Sequence, residues 1–154
     1  MTEISGSRTL HRLIYTSRVA IPTPDLDHEI GGIIRASIRN NRQVGVTGLL
    51  LVHEDHFVQA LEGAAEVVMT TYRRILDDPR HEQSKVLSAG PATEREFGDW
   101  NMCARRMTPG DDAILDALDA RKVFAPATFS GKAALRLLTA VRGIQARTHR
   151  AALI

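Results

Sequence analysis

The stretch Asn40-Asn41-Arg42-Gln43-Val44-Gly45-Val46-Thr47-Gly48-Leu49-Leu50-Leu51, continued by His56-Phe57-Val58-Gln59-Ala60-Leu61-Glu62-Gly63, decides the fold. It reads as a helix ending near Asn40-Asn41, a tight turn, a buried strand over 44–52, a polar link at Glu54-Asp55, and a second strand over 57–62. So short a link makes the two strands an antiparallel hairpin. In the second strand, alternation puts Phe57, Gln59 and Leu61 on one face, and His56, Val58, Ala60 and Glu62 on the other. The first set is the more apolar, so Gln59 is expected to point into the core. A buried amide without partners costs about 1–3 kcal/mol. Something polar must therefore lie inside the domain.

Working outward, residues 10–17 alternate, with Leu13, Tyr15 and Ser17 on one face and Arg12, Ile14 and Thr16 on the other, which predicts a first strand. Thr23 is placed to cap a helix and Pro24 to open it. Leu26, Ile30, Ile33, Ile34, Ser37 and Ile38 then recur at helical spacing. Beyond Gly63 a second helix is predicted over 65–76, striped by Val67, Val68, Thr71, Tyr72 and Ile75. Asp77-Asp78-Pro79-Arg80-His81 breaks it. Strands follow over 84–89 and 99–104. The order βαββαββ gives the α+β class: a ferredoxin-like sandwich with both crossover helices on one face of the sheet. Leu49-Leu50-Leu51-Val52 is apolar on both sides, so the opposite face needs a cover. Two additional C-terminal helices, over 111–124 and 131–148, can supply it, joined by the linker Ala125-Pro126-Ala127-Thr128.

At 154 residues, 44% of them hydrophobic and 25% charged, the chain suits one soluble domain. The expected division is a flexible N-terminal tail over 1–9, a folded unit over 10–106 and a helical cap over 107–154. The net charge of +2 points to no particular partner. The single cysteine, Cys103, excludes a disulfide framework and a multi-cysteine metal site. No stretch is long and apolar enough for a membrane span, and the polar N-terminus lacks a signal-peptide core, so a cytoplasmic protein is expected.

Few residues offer chemistry. The histidines are scattered, so no metal site is expected. Cys103, beside Trp100 and Met102 on an apolar strand, reads as a packed thiol. Gly31-Gly32 lie within a helix, outside any phosphate-loop context, but they bare its surface to a flat ligand or a close helix. The remaining polar groups on core-facing positions are Tyr15, Ser37, Asn40, Asn41 and Gln59. The predicted topology makes the first and third strands the central pair, which permits a Tyr15–Gln59 hydrogen bond. Such a pair can simply satisfy the core. Alternatively Tyr15, Asn40, Asn41 and Gln59 converge on one heterocycle between the two crossover helices, flanked by Ile33 and Ile75.

The chain resembles the BLUF family, blue-light sensors that use FAD. The matching pieces are Leu13-Ile14-Tyr15-Thr16-Ser17, Ser37-Ile38-Arg39-Asn40-Asn41 and Gly45-Val46-Thr47-Gly48-Leu49-Leu50-Leu51. They continue with Phe57-Val58-Gln59-Ala60-Leu61-Glu62-Gly63, Asp78-Pro79-Arg80-His81 and Phe97-Gly98-Asp99-Trp100-Asn101-Met102. Together they run from about Leu10 to Arg105, in order and with family-like spacing; the segment from Met107 onward is outside the likeness.

The resemblance implies a photoreceptor that binds FAD non-covalently and is not an enzyme. Asn41 and Gln59 would bond the C4=O/N3/N5 edge of the isoalloxazine, and Asn40 its C2=O side. Tyr15 would bond Gln59 and donate an electron to the photoexcited flavin. Ile33 and Ile75 would sandwich the ring, Ser37 would line the pocket, and Asp78, Arg80 and His81 would lie near the polar edge or the ribityl chain. Trp100 and Met102 would compete for the place beside Gln59 and relay its state. The output would pass through the fifth strand and the C-terminal helices to an effector protein in trans or to a homo-oligomer. Two other classes stay open from the residues: a flavin-dependent oxidoreductase, which lacks an evident general base, and a cofactor-free ferredoxin-like interaction module.

The likeness says nothing of the C-terminal segment. From Gly131 to Ile154 the charged residues, Lys132, Arg136, Arg142, Arg147 and Arg150, are all basic. Leu135, Leu137, Leu138, Val141 and Ile144 form one broad apolar stripe. The segment is expected to cap the second face of the sheet with most arginines outward. Without aromatic stacking residues, nucleic acid is not the expected partner.

Overall fold

The computed structural model describes residues 9–21, 23–98, 103–106 and 125–153. Its order is β1 (Leu10–Val19), a 3-10 turn (Thr23–Asp25), α1 (Leu26–Val44), β2 (Thr47–His53), β3 (His56–Ala64), α2 (Ala65–Leu76), β4 (His81–Pro91), β5 (Cys103–Arg106), a 3-10 turn (Pro126–Thr128) and α3 (Gly131–Leu153). The strands form one sheet in the order β4-β1-β3-β2-β5. β1 and β2 both pair antiparallel with β3, and β5 joins the edge parallel to β2. This is the expected ferredoxin-like arrangement, with β1 and β3 adjacent at its centre.

Several boundaries differ from those predicted. Pro24 belongs to a 3-10 turn rather than opening the helix, and α1 starts at Leu26 with no side-chain cap bond. α1 also runs past Asn40-Asn41 to Val44, because the exposed Arg42 and Gln43 tolerate another turn of helix. Gly45 then adopts a left-handed φ of 72°, and the N–H groups of Gly45 and Val46 both donate to the Asn41 carbonyl. That is the Schellman closure a glycine favours. β2 therefore begins at Thr47, three residues later than the pattern suggested. The Glu54-Asp55 link is the predicted hairpin, with Glu54 at a φ of 52°.

β4 extends beyond the predicted 84–89 at both ends. Its register with β1 slips twice, between Ile14 and Tyr15 and between Thr16 and Arg18, and Gln83 sits at a φ of 54°. Such bulges twist an edge strand and break its alternation, which hid its length from a period-two reading. The predicted fifth strand over 99–104 overlaps β5 at its C-terminal end. Trp100 and Met102, like the helix expected over 111–124, lie outside the described residues.

The sheet is buried on both faces. One core contains Leu13, Tyr15, Leu50, Phe57 and Leu61, with Val68 and Tyr72 from α2 and Ile30 and Ile33 of α1 packed against it. The other contains Ile14, Leu49, Leu51, Val58 and Ala60, closed by Ala134, Leu137, Leu138 and Val141 of α3. α3 thus caps the second face with Leu137, Leu138 and Val141 of the predicted stripe, and Leu135 packs against them. Arg142, however, turns toward the protein: it donates to the backbone carbonyl of Glu96, lies 3.0 Å from the Glu96 carboxylate, and stacks 6.0 Å from the Phe97 ring centroid.

Glu62 was read on the less apolar face of its strand, yet it is fully buried. Its carboxylate accepts the Arg12 guanidinium and the backbone N–H groups of Glu96 and Phe97, each at 2.8 Å. Arg95 donates to Thr47 Oγ1, to the Glu62 carbonyl and to the Gly45 carbonyl at the end of α1. The loop after β4 is thereby clasped to both central strands and to α3. Glu62→Gln keeps the shape but removes the charge that Arg12 and these amides were placed to meet. It should cost about 1–3 kcal/mol of stability. Urea unfolding measures it; a loss within a few tenths would show the clasp to be dispensable.

Candidate functional site

Strand register builds the site. Gln59 stands directly opposite Tyr15 on one side and Leu50 on the other. The Tyr15 hydroxyl donates a short hydrogen bond to Gln59 Oε1. Both residues are 3% exposed, so water cannot replace this bond. Burial pushes the Tyr15 hydroxyl far above the ordinary phenol range, with smaller contributions from Tyr72 and Asp78. The phenol is thus held protonated, and its proton is directed at the amide oxygen.

A cavity of about 160 Å³ lies against this pair. α1 contributes Ile33, Ala36, Ser37 and Asn40, one stripe at intervals of three, four and seven residues from Ile33. Leu50, Phe57, Gln59 and Tyr15 form the floor, and Ile75 stands on α2. Arg74, Asp78, Arg80 and His81 form the polar rim, at the end of α2, in the loop after it and at the first residue of β4. Arg74, Asp78 and Arg80 also line an adjoining open groove of about 530 Å³ together with Glu29, Asp77 and Pro79.

The rim is internally braced. Arg80 Nε lies 2.9 and 3.1 Å from the two Asp78 oxygens, its backbone N–H donates to the same carboxylate at 2.9 Å, and its Nη1 lies 3.6 Å from Glu29. The Arg80 guanidinium holds the Asp78 carboxyl below its usual range, against the opposing effect of partial burial. His81 Nε2 is 2.6 Å from the Ile75 carbonyl, which can only accept, so that nitrogen carries the hydrogen. In the neutral ring, Nδ1 then accepts from Ser17 Oγ at 2.8 Å. His81 is thus locked between α2 and β1, 6.2 Å from the Tyr15 ring. At Gly32 the nearest group to a would-be Cβ is the Arg80 guanidinium, 3.9 Å away, so the bare patch on α1 receives an arginine of the rim.

Nine of the predicted residues therefore meet at one cavity: Tyr15, Ile33, Ser37, Asn40, Gln59, Ile75, Asp78, Arg80 and His81. Asn41 is buried at 3% but is not among the wall residues; its backbone carbonyl closes the end of α1. Sequence reading missed Ala36, Leu50, Phe57 and Arg74 as wall residues. Phe57 was legible, because it shares the alternating face of Gln59. Ala36 falls on the Ile33–Asn40 stripe, whereas Leu50 required the hairpin register. Among the described residues no cluster of three or more His, Cys, Asp or Glu can hold a metal ion. No helix among them is long and apolar enough to cross a membrane.

Two branched aliphatic walls, an α1 stripe with a hydroxyl and an amide, a floor with a two-ended amide, and a rim of guanidinium, carboxylate and imidazole groups fit a planar heterocycle with a polar edge and a polar tail. A ferredoxin-like domain with this site is a receptor for such a ring. Residues 10–103 match the family described as BLUF, sensors of blue-light using FAD. Over 93 residues the chain is 37% identical to photoactivated adenylate cyclase subunit beta of Euglena gracilis, which takes in 60% of this chain and 11% of that protein. The solved structure of BlrB, a BLUF protein in its dark state, aligns with a TM-score of 0.70 at 32% identity, covering 88% of this chain and 98% of that one. BlsA in its photo-activated state aligns with a TM-score of 0.76 at 25% identity, covering 84% and 91%. The chain belongs to the BLUF family and is a flavin-binding blue-light sensor. It spans about a tenth of the length of the curated relatives it matches.

The depressed Asp78 carboxyl makes a pH prediction. Its contribution is complete above the ordinary carboxylate value and is lost as pH falls through the lower folded value. An NMR titration of Asp78 should give a midpoint below 3.8, and Arg80→Ala should move it upward. An unmoved midpoint would assign the depression to another group.

Proposed function

We propose that this chain uses FAD and turns blue light into a hydrogen-bond rearrangement of Gln59 driven by Tyr15. The observation that carries this reading is the buried Tyr15–Gln59 bond at the cavity floor. Ile33 and Ile75 flank the ring; Gln59, Asn40 and Asn41 hold its carbonyl and imide edge; Ser37 lines the pocket; Asp78, Arg80 and His81 shape the exit toward the tail. The family description names FAD, and the groove beyond the rim offers Arg74 and Arg80 to a pyrophosphate.

Bound flavin supplies the absorption of blue light and, when excited, a one-electron oxidant. Tyr15 gives up the electron and passes its phenolic proton toward Gln59 Oε1. An amide has a donor end and an acceptor end that exchange by rotation or tautomerisation, so Gln59 can hold two bonding patterns in one cavity. Stronger donation from Gln59 to a flavin carbonyl lowers the excitation energy and red-shifts the absorption. The reading is of a sensor that transforms no substrate. Residues 10–106 form the sensing unit and residues 107–154 the output cap. Trp100 and Met102 relay the state of Gln59, and the signal passes through β5 and the C-terminal helices to a cytoplasmic effector in trans or to a second copy of the chain. The Euglena relatives are named as photoactivated adenylate cyclase subunits, which supports coupling of such a sensor to an effector.

Gln59→Leu nearly conserves volume, so the fold and the yellow colour should survive. Its light-minus-dark spectrum should lack the red shift; a normal shift would remove Gln59 from the mechanism. Tyr15→Phe keeps the packing and deletes only the hydroxyl. Time-resolved fluorescence should then show longer-lived flavin emission, and unchanged quenching would make another residue the donor, Trp100 foremost.

A further inference from the structure

The chain has two tyrosines, and they are in contact. The Tyr15 and Tyr72 rings lie with centroids 5.1 Å apart, tilted by 49°. Both belong to the same core, at 3% and 7% exposure. Their hydroxyls have different partners. Tyr15 donates inward to Gln59 Oε1, whereas the Tyr72 oxygen lies 2.7 Å from Ser84 Oγ. Ser84 is half-buried on the edge strand β4, directly after the left-handed Gln83, so its hydroxyl stands between the core and the sheet edge.

We infer that Tyr72 is a second redox tyrosine, which takes over the oxidising equivalent from Tyr15 and releases its own proton through Ser84. This rests on the reading of Tyr15 as electron donor, and the oxidant is the photoexcited flavin of that reading. The step balances as follows. Tyr15 has lost one electron to the flavin and one proton to Gln59. Tyr72 then gives one electron to Tyr15, and Tyr15 regains the proton from Gln59. Tyr72 passes its phenolic proton to Ser84 Oγ, and Ser84 gives its original hydroxyl proton outward to water. One electron deficiency has moved from Tyr15 to Tyr72, and one proton has left by the sheet edge.

Two phenols differ little in intrinsic ease of oxidation, so the exchange is nearly balanced and the proton partners set its direction. At ring contact the electron needs no intermediate. Tyr15 resists deprotonation because it is buried and beside a second phenol, so it cannot lose an electron cheaply without passing on its proton. Tyr72 has a hydroxyl partner that can both accept and donate, which is what a proton exit requires. Moving the deficiency one ring away from Gln59 delays recombination while the amide reorients.

The test is rapid-freeze electron paramagnetic resonance on the flavin-loaded full chain, with ring-deuterated tyrosine to separate tyrosyl from tryptophanyl signals. Tyr15→Phe and Tyr72→Phe each leave one tyrosine. Oxidising them in the dark with hexachloroiridate(IV) supplies the two reference spectra. After a blue flash the unsubstituted protein should pass from the Tyr15 spectrum to one containing Tyr72. Tyr72→Phe should shorten the tyrosyl lifetime severalfold. Ser84→Ala should suppress the Tyr72 component and abolish the slowing of exchange in heavy water. A Tyr15 spectrum alone at every delay, with an unchanged lifetime in Tyr72→Phe, overturns the inference. A flash that yields no tyrosyl signal overturns the donor reading instead. Dark oxidation of the unsubstituted protein then decides Tyr72 separately: relaxation between the two spectra supports exchange, and a fixed ratio refutes it.

Discussion

Tyr15 and Gln59 face each other across the central strand pair, and much of the site depends on that register. A slip of one residue would send Tyr15 to the α3 side and bring Ile14 to the floor of the cavity, because side chains alternate with a period of two. The register is fixed from several directions. Leu49, Leu51, Val58 and Ala60 must meet α3, while Leu50, Phe57 and Leu61 must meet α1 and α2. Thr16 adds a bond to the Phe57 carbonyl at 2.8 Å. With both faces buried, a slipped strand would place Gln59 among the leucines of the second core without a partner, which is costly. The polar pair is therefore kept in place largely by the apolar residues around it.

The cavity wall shows the same economy of means. α1 reaches it with residues one helical stripe apart, and its left-handed stop at Gly45 sets where Asn40 stands relative to β2. Gly63 lies against this stop: a Cβ there would come within 3.2 Å of the Gly45 carbonyl. The loop after α2 brings Asp78 and Arg80 to the rim, where they brace one another locally, while His81 at the start of β4 spans from Ile75 to Ser17. These bonds hold the rim side chains before any ring is bound. Such preorganisation lowers the ordering cost of binding.

Much of this was legible in the chain. The order of strands and crossover helices, the central strand pair, the hairpin at Glu54-Asp55 and the Leu137–Val141 part of the α3 stripe follow from local periodicity, and all are present among the described residues. Of the nine wall residues named, Tyr15, Ser37, Asn40 and Gln59 stood out as polar groups on core-facing positions, with Ile33 and Ile75 as their flanks, whereas Asp78, Arg80 and His81 came from the family resemblance. Less visible was whatever depends on distant chain. Glu62 looked like the polar face of a strand, and only the return of residues 94–97 buries its carboxylate. β4 escaped a period-two reading because its bulges shift the register. Gly45 carried a usable stop signal for α1, but the adjacent asparagines were read as the end. Arg142 looked like one more outward arginine until Glu96, 46 positions earlier, folded beside it.

β3 runs through the centre of the sheet and lines both cores, and this constrains how a change at the flavin can leave the sheet. Gln59 faces the cavity, its neighbours Val58 and Ala60 lie with no exposure in the core shared with α3, and Glu62 holds the loop after β4. A close-packed interior transmits displacement poorly as a continuum but well between discrete arrangements. In the proposed photocycle a rotated amide on one face would alter the packing and bonding of the same backbone that α3 covers on the other. The loop held by Glu62 is also held by Arg142 of α3, so strand and helix meet there through charge-assisted bonds as well as apolar contact. Such bonds are strong and directional, and each loses much of its worth when its geometry shifts by a fraction of an ångström. Under the proposed reading, the α3 side of the sheet would respond to a change at Gln59 without any large movement of the strands themselves.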